Sequence, residues 1–191
     1  MKSREALAIM LNHLGSEDIA LFTTGYISRY AFSKSDRPGN FYIVGSMGLV
    51  SSVGLGMALS TEKKVFIFDG DGSVLMDMGS LGMIASHNPP NLAHIVLDNE
   101  SYESTGGQPT LTRRVDLSKI AKSAGYKKVF KLSNLKILRD SIGEILTCKG
   151  PVFILLKISL SGTERASKRV AVSPEELTSR IKQEMAGVAL E

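Results

Sequence analysis

Apolar residues recur along the chain in short unbroken runs, and the stretches between them carry the looser spacing of amphipathic helices. The runs fall at 18–24, from 41 onward, and at 63–69, 92–98, 127–132 and 150–159. Runs of that length without polar alternation predict strands buried on both faces, as in a parallel sheet. Helical patterns fill 3–14, 27–34, 49–60, 74–87, 116–125, 134–147 and 173–186. Asp116 and Gly125 suit the two ends of one helix, and Ser173-Pro174 opens the last. Segment 49–60 is dense in Gly, Ser and Ala, which predicts close backbone packing. Residues 99–114 read as a polar, glycine-bearing loop. Strand and helix alternate throughout, with no repeat, low-complexity tract or linker between them. The expectation is a single α/β domain over 1–191, an open, mostly parallel six-stranded sheet with helices on both faces. Ligands in such sheets sit beyond the carboxyl ends of strands, where the strand order reverses.

Composition agrees with one domain: 191 residues, 43% hydrophobic, suffice for a proper core. The net charge of +4 is uneven, with 7 Lys/Arg against 10 Asp/Glu in residues 1–100 and 16 against 9 in 101–191. The basic residues are scattered, as at Lys119, Lys122, Lys127 and Lys128, which reads as a solvated face. Aromatic residues are only 6%, which argues against nucleic-acid binding. Cys148 stands alone, so no internal disulfide forms, and it reads as a small buried apolar residue. The N-terminal segment is interrupted by Glu5, Asn12 and His13, unlike a signal peptide, and no apolar run reaches membrane-spanning length. A soluble, cytoplasmic protein is expected. His87 and His94 have no partners at metal-ligand spacing.

The candidate chemistry begins at residues 66–80, FIFDGDGSVLMDMGS, where an apolar strand runs through Asp69-Gly70-Asp71-Gly72-Ser73 into a helix. A calcium loop of the EF-hand kind needs a preceding helix, glycine at its sixth position and glutamate at its twelfth. Counted from Asp69 those places hold Val74 and Ser80, and a strand precedes them. A plain turn accounts for Asp-Gly pairs taken alone. The end of the next strand favours a third reading. Asp98 and Asn99 lie there, with 26 residues between Gly72 and Asn99, enough for one helix, a Pro-Pro turn and one strand. A single crossover brings the two strand ends side by side. A carboxylate, an amide oxygen and a backbone carbonyl suit a hard cation such as Mg²⁺. The glycines let backbone N–H groups approach phosphate oxygens at the start of the helix.

Gly70-Asp71-Gly72 followed at this spacing by Asn99 resembles the thiamin diphosphate signature. Three stretches, NFYIVGSMGLVSSVGLGMALS, DGDGS and LDNESYESTGGQPT, are similar to the diphosphate-binding half of the sulfopyruvate and phosphonopyruvate decarboxylase family. The likeness runs from about residue 20 to 160. It implies that Asp71, the Asn99 side chain and the Ser101 carbonyl hold Mg²⁺, and that Gly72 and Ser73 bind the diphosphate, with Gly70 and Tyr102 beside them. It implies that Met47, in Gly45-Ser46-Met47-Gly48, wedges the cofactor into its bent reactive shape while the Gly45 carbonyl accepts from its amine. Ser28, after the first strand, is a further diphosphate candidate. Glu103 departs from the pattern, in which glycine follows the tyrosine.

In this family a glutamate from a separate pyrimidine-binding domain completes the site, and this chain has room for one α/β domain only. The resemblance therefore implies a hetero-oligomer: this chain as a β subunit, and a pyrimidine-binding α subunit carrying the glutamate. The implied chemistry is non-oxidative decarboxylation of a small anionic 2-oxo acid, sulfopyruvate to sulfoacetaldehyde and CO₂ in coenzyme M biosynthesis. A phosphonopyruvate decarboxylase, an acetolactate-synthase-like half and a non-catalytic nucleotide- or phosphate-binding module are the alternatives. The last lacks G-x-G-x-x-G after its first strand.

Overall fold

The computed structural model describes residues 1–160 and 167–186. The strands are β1 (Ile19–Phe22), β2 (Asn40–Tyr42), β3 (Val65–Gly70), β4 (Leu92–Asp98), β5 (Ser101–Tyr102), β6 (Gln108–Pro109), β7 (Lys128–Leu132) and β8 (Val152–Lys157). The helices are α1 (Ser3–Leu11), α2 (Tyr26–Ser35), α3 (Val50–Leu59), α4 (Asp71–Met76), α5 (Gly79–His87), α6 (Leu117–Ala124), α7 (Leu135–Thr147) and α8 (Pro174–Met185). Six strands form one sheet in the order β2-β1-β3-β4-β8-β7. Every neighbouring pair in it is parallel. The expected architecture is therefore present, and the sheet is parallel throughout.

The apolar runs form strands because both faces of the sheet are covered. Phe22, Phe68 and Ile154 point into a layer shared with Leu7, Met10 and Leu138 of α1 and α7. Leu21, Ile67 and Val96 point the other way, against Val50, Ile84 and Ala121 of α3, α5 and α6. Phe22 stacks between Tyr42 and Phe68, with ring centroids 5.2 and 4.9 Å away. Fully burying such a ring or a branched aliphatic stabilises by about 1.5–3 kcal/mol. The small residues of α3 serve its approach to the sheet, since a Cβ on Gly54 would collide with Ile67.

Two local features differ from the sequence expectation. The helix expected over 74–87 is two helices, broken at Asp77, whose φ of −141° and ψ of 62° are not helical. Asp77 instead accepts a hydrogen bond from the Ser52 hydroxyl of α3, and its carbonyl accepts from Ser80. The segment 99–114 is also not a simple loop, because β5 and β6 pair within it as an antiparallel two-stranded hairpin.

The strand order positions the site. From β1 the chain moves outward to β2 and then crosses back over β1 to form β3. The carboxyl ends of β1 and β3 therefore flank a crevice at a reversal of strand order, where open α/β sheets bind ligands. β4 lies next to β3, with Gly70 in register with Leu97. That register sets Asp71 and Asn99 just beyond two adjacent strand ends.

Candidate cofactor site

A cleft opens at these strand ends. Its lining includes Thr23, Thr24 and Ile27 after β1, Met47, Gly70 to Ser73, and Asn99 with Ser101 to Thr105. Of the candidate residues, Gly70, Asp71, Gly72, Ser73, Met47, Asn99, Ser101 and Tyr102 line this one cleft. Gly45, Ser46 and Ser28 are not among the lining residues. The Ser28 hydroxyl lies 2.5 Å from the Thr23 carbonyl and 3.3 Å from that of Phe22, so it ties α2 back to β1. The positions after β1 that do line the cleft include the hydroxyl-bearing Thr23 and Thr24.

Ser73 is a joint. Its Oγ accepts from the Thr23 hydroxyl at 3.0 Å and from the Gly48 N–H at 3.2 Å. One side chain therefore links the end of β1, the Met47 turn and the start of α4. In that turn Gly45, Ser46 and Gly48 all have positive φ, at 74°, 46° and 104°. For Ser46 this conformation costs about 1–2 kcal/mol, a strain that the surrounding contacts must hold. The turn leaves Met47 36% exposed at the cleft rather than in the core. Gly72 is required for a different reason, since a Cβ there would run into the Tyr102 ring. α4 has only six residues, so its appeal to a phosphate rests on its first N–H groups rather than on a long dipole.

Asp71 is 3% exposed. Its Oδ2 accepts from Thr110 Oγ1 at 2.6 Å, and Thr112 Oγ1 is 3.1 Å away. Thr112 also stands 2.9 Å from Asp98 Oδ1, and a hydroxyl has one proton to give. Asp98 is compensated by Lys157, whose ammonium donates to Asp98 Oδ2 at 2.9 Å and to Glu100 at 2.6 Å. Among the described residues no cation pairs with Asp71. Burial pushes its carboxyl above the usual range, the nearby Asp98 charge adds to this, and the Thr110 hydroxyl opposes both.

Asn99 is held at both ends of its amide. Oδ1 accepts from the Ser101 N–H at 3.0 Å, and Nδ2 donates to Glu103 Oε2 at 2.9 Å. Between them Glu100 takes a left-handed φ of 59°. Ser101 is buried, and its Oγ has no hydrogen-bond partner among the described residues.

These features fit a hard divalent cation with a diphosphate. A buried carboxylate without a counter-cation is costly unless a metal compensates it. The donors at hand are oxygens, the set such a cation prefers. Among the described residues no three His, Cys, Asp or Glu side chains cluster to hold a metal, so a cation here would rest on one carboxylate with neutral oxygens.

Sequence reasoning missed Thr110 and Thr112, whose signal was the Thr-x-Thr spacing after the glycine pair. It also missed a buried chain behind the site. Asp69 Oδ1 accepts from the Gly70 N–H at 2.8 Å, and its Oδ2 lies 3.3 Å from His94 Nε2. His94 Nδ1 lies 3.1 Å from the Tyr126 hydroxyl. Burial, then the Asp69 charge, pushes Tyr126 above its ordinary range, so it stays a donor. His94 is therefore part of the scaffold under Gly70, away from the cleft.

Residues 23–156 match the family "Thiamine pyrophosphate enzyme, C-terminal TPP binding domain". The chain belongs to this family. Similar proteins include a phosphonopyruvate decarboxylase of Streptomyces viridochromogenes, 42% identical over 93% of this chain and 44% of its own. The sulfopyruvate decarboxylase subunit beta of Methanocaldococcus jannaschii is 44% identical over 63% of this chain and 64% of its own. That of Methanococcus maripaludis is 39% identical over 80% of this chain and 82% of its own. This TPP-binding domain thus spans about half the length of the phosphonopyruvate enzymes it matches. Among solved structures, the fold is shared with a putative thiamin diphosphate-dependent enzyme of Mycobacterium smegmatis, at TM-score 0.72 and 20% identity over 84% of this chain and 32% of that one. Benzoylformate decarboxylase of Polynucleobacter necessarius also has TM-score 0.72, at 18% identity over 83% of this chain and 33% of that one.

Proposed function

We propose that the chain is the diphosphate-binding β subunit of a thiamin diphosphate- and Mg²⁺-dependent 2-oxo acid decarboxylase. The observation that carries this reading is Asp71: a buried carboxylate, accepting from the Thr110 hydroxyl and without a counter-cation among the described residues, lining one cleft with Asn99 and Ser101. Asp71, the Asn99 oxygen and the Ser101 carbonyl would hold Mg²⁺, and Gly72 and Ser73 would bind the diphosphate. When bound, the cofactor supplies the electron sink that lets CO₂ leave a 2-oxo acid. The chain's own residues anchor and orient. Met47, in the cleft lining, would support the cofactor between its two ends, and the Gly45 carbonyl, two residues earlier in the same turn and outside that lining, would offer an acceptor to its amine.

A glutamate for the pyrimidine end is assigned to an α subunit closing over the cleft. Exposed apolar side chains on neighbouring elements support such a partner. Leu49 precedes α3 and Leu59 ends it, and Met76, Met78 and Met83 lie on α4 and α5 and the bend between them. Exposed apolar patches mark association surfaces. The favoured substrate is sulfopyruvate, giving sulfoacetaldehyde and CO₂, because relatives named as separate beta subunits match this chain over most of their length. Phosphonopyruvate is the second reading, favoured by 42% identity across 180 residues. The test is to mix the chain with a pyrimidine-binding subunit, thiamin diphosphate and Mg²⁺, and to assay both acids for CO₂ release. Sulfoacetaldehyde is the expected product. Release from phosphonopyruvate alone would favour the second reading, and release from neither would overturn both.

A further inference from the structure

We propose that Glu103 sets the orientation of the Asn99 amide, so that Asn99 presents its oxygen and not its nitrogen to the metal position. This role rests on reading the cleft as a metal–diphosphate site. The two ends of an amide have nearly the same shape, so only their partners distinguish them. Ser101 offers an N–H, which only the amide oxygen can accept. Glu103 offers a carboxylate oxygen, which only the amide nitrogen can meet as a donor. The two contacts select the same orientation. The amide oxygen has two lone pairs, so the Ser101 N–H leaves one for a cation.

Glu103 is well placed to act on Asn99. It follows β5 directly and begins a short 3₁₀ turn at Glu103–Thr105. The Gly107 N–H closes that turn onto the Tyr102 carbonyl at 3.0 Å. The hairpin thus carries the carboxylate back over the residue four positions earlier. Glu103 is a positioning residue here, acting on the metal through Asn99. What it supplies is an acceptor, and its charge is secondary.

The test uses the full chain and two variants, Glu103→Ala and Glu103→Gln. Mn²⁺ is titrated in the presence of thiamin diphosphate and followed by water proton relaxation, which needs no turnover. Glu103→Ala is expected to weaken Mn²⁺ binding about ten-fold or more, as loss of an outer partner to a metal ligand does. Glu103→Gln keeps an acceptor for Nδ2 and is expected to bind close to the parent. In the metal-free chain, the Asn99 side-chain amide protons should exchange faster with water in Glu103→Ala than in the parent or Glu103→Gln. Parent-like binding by Glu103→Ala, or a loss in Glu103→Gln as large as in Glu103→Ala, would overturn the proposal. A parent that takes up no Mn²⁺ with the cofactor would overturn the site itself, and the role with it.

Discussion

Asp71 carries a charge that no described side chain neutralises, and Asn99 carries an oxygen held ready beside it. Removing either should remove metal-dependent cofactor binding without unfolding the chain. Asp71→Ala and Asn99→Ala are therefore expected to keep a parent-like far-UV spectrum while calorimetry with thiamin diphosphate and Mg²⁺ shows no uptake. Parent-like uptake by either would refute the assigned ligands. Met47 should behave differently, because it shapes the cofactor more than it holds it. Met47→Ala is expected to lower turnover of the assembled enzyme more than it lowers cofactor affinity, as separate rate and binding measurements would reveal. Asp71 and Asn99 were legible because their spacing, strand to helix to strand, is written locally. Thr110 and Thr112 were not, because their partner lies 39 and 41 residues away and the Thr-x-Thr spacing, their one local signal, does not name it. Ser28 was legible as a polar residue after β1, but not as one whose hydroxyl is taken by the backbone.

Among the elements, α6 gives a direct pH test. Asp116 caps it, accepting from the Ser118 N–H and hydroxyl, and pairs with Lys131 at 2.8 Å. Burial works against the Asp116 charge, but the Lys131 ammonium and the Ser118 donors outweigh it and hold its pKa at about 2. A lowered folded value means the stabilisation is present above the ordinary carboxylate range and is lost as pH falls through about 2. Asp116→Ala should lower stability at pH 7 by about 0.5–2 kcal/mol, the usual effect of losing a cap. The difference from the parent should shrink in melts at progressively lower pH. On α3, Leu59→Glu is expected to leave stability within about 0.5 kcal/mol of the parent, since the side chain is exposed. Co-elution with a pyrimidine-binding subunit should be lost, as gel filtration of the mixture would register. The main elements were legible in their apolar runs because both faces of a parallel sheet are buried. The break at Asp77 was not, because it depends on a hydroxyl from another helix. The β5–β6 hairpin has two residues in each strand, too few for any periodicity to show.

For the molecule as a whole, the proposed metal ligands and the glycine turn belong to this chain, and the proposed function leaves the face opposite them to a partner. The chain alone is therefore expected to show no decarboxylation, and addition of the pyrimidine-binding subunit should restore it; full activity from the chain by itself would refute the divided site. The segment after β4 carries a further consequence. It leaves that strand through Asn99 and returns through Thr110 and Thr112 beneath Asp71. Both ends of one short excursion would thus be fastened to the proposed cation position, while the core strands are held by ladder hydrogen bonds and packing that need no ligand. A bound cation then stabilises the closed excursion over its locally opened forms by mass action, in proportion to the logarithm of its concentration over its dissociation constant. Backbone amides between 100 and 112 should gain deuterium-exchange protection as Mg²⁺ and thiamin diphosphate are added together. Amides in the middle of β3 and β8, which open only with the whole domain, should hardly change until the excursion is saturated.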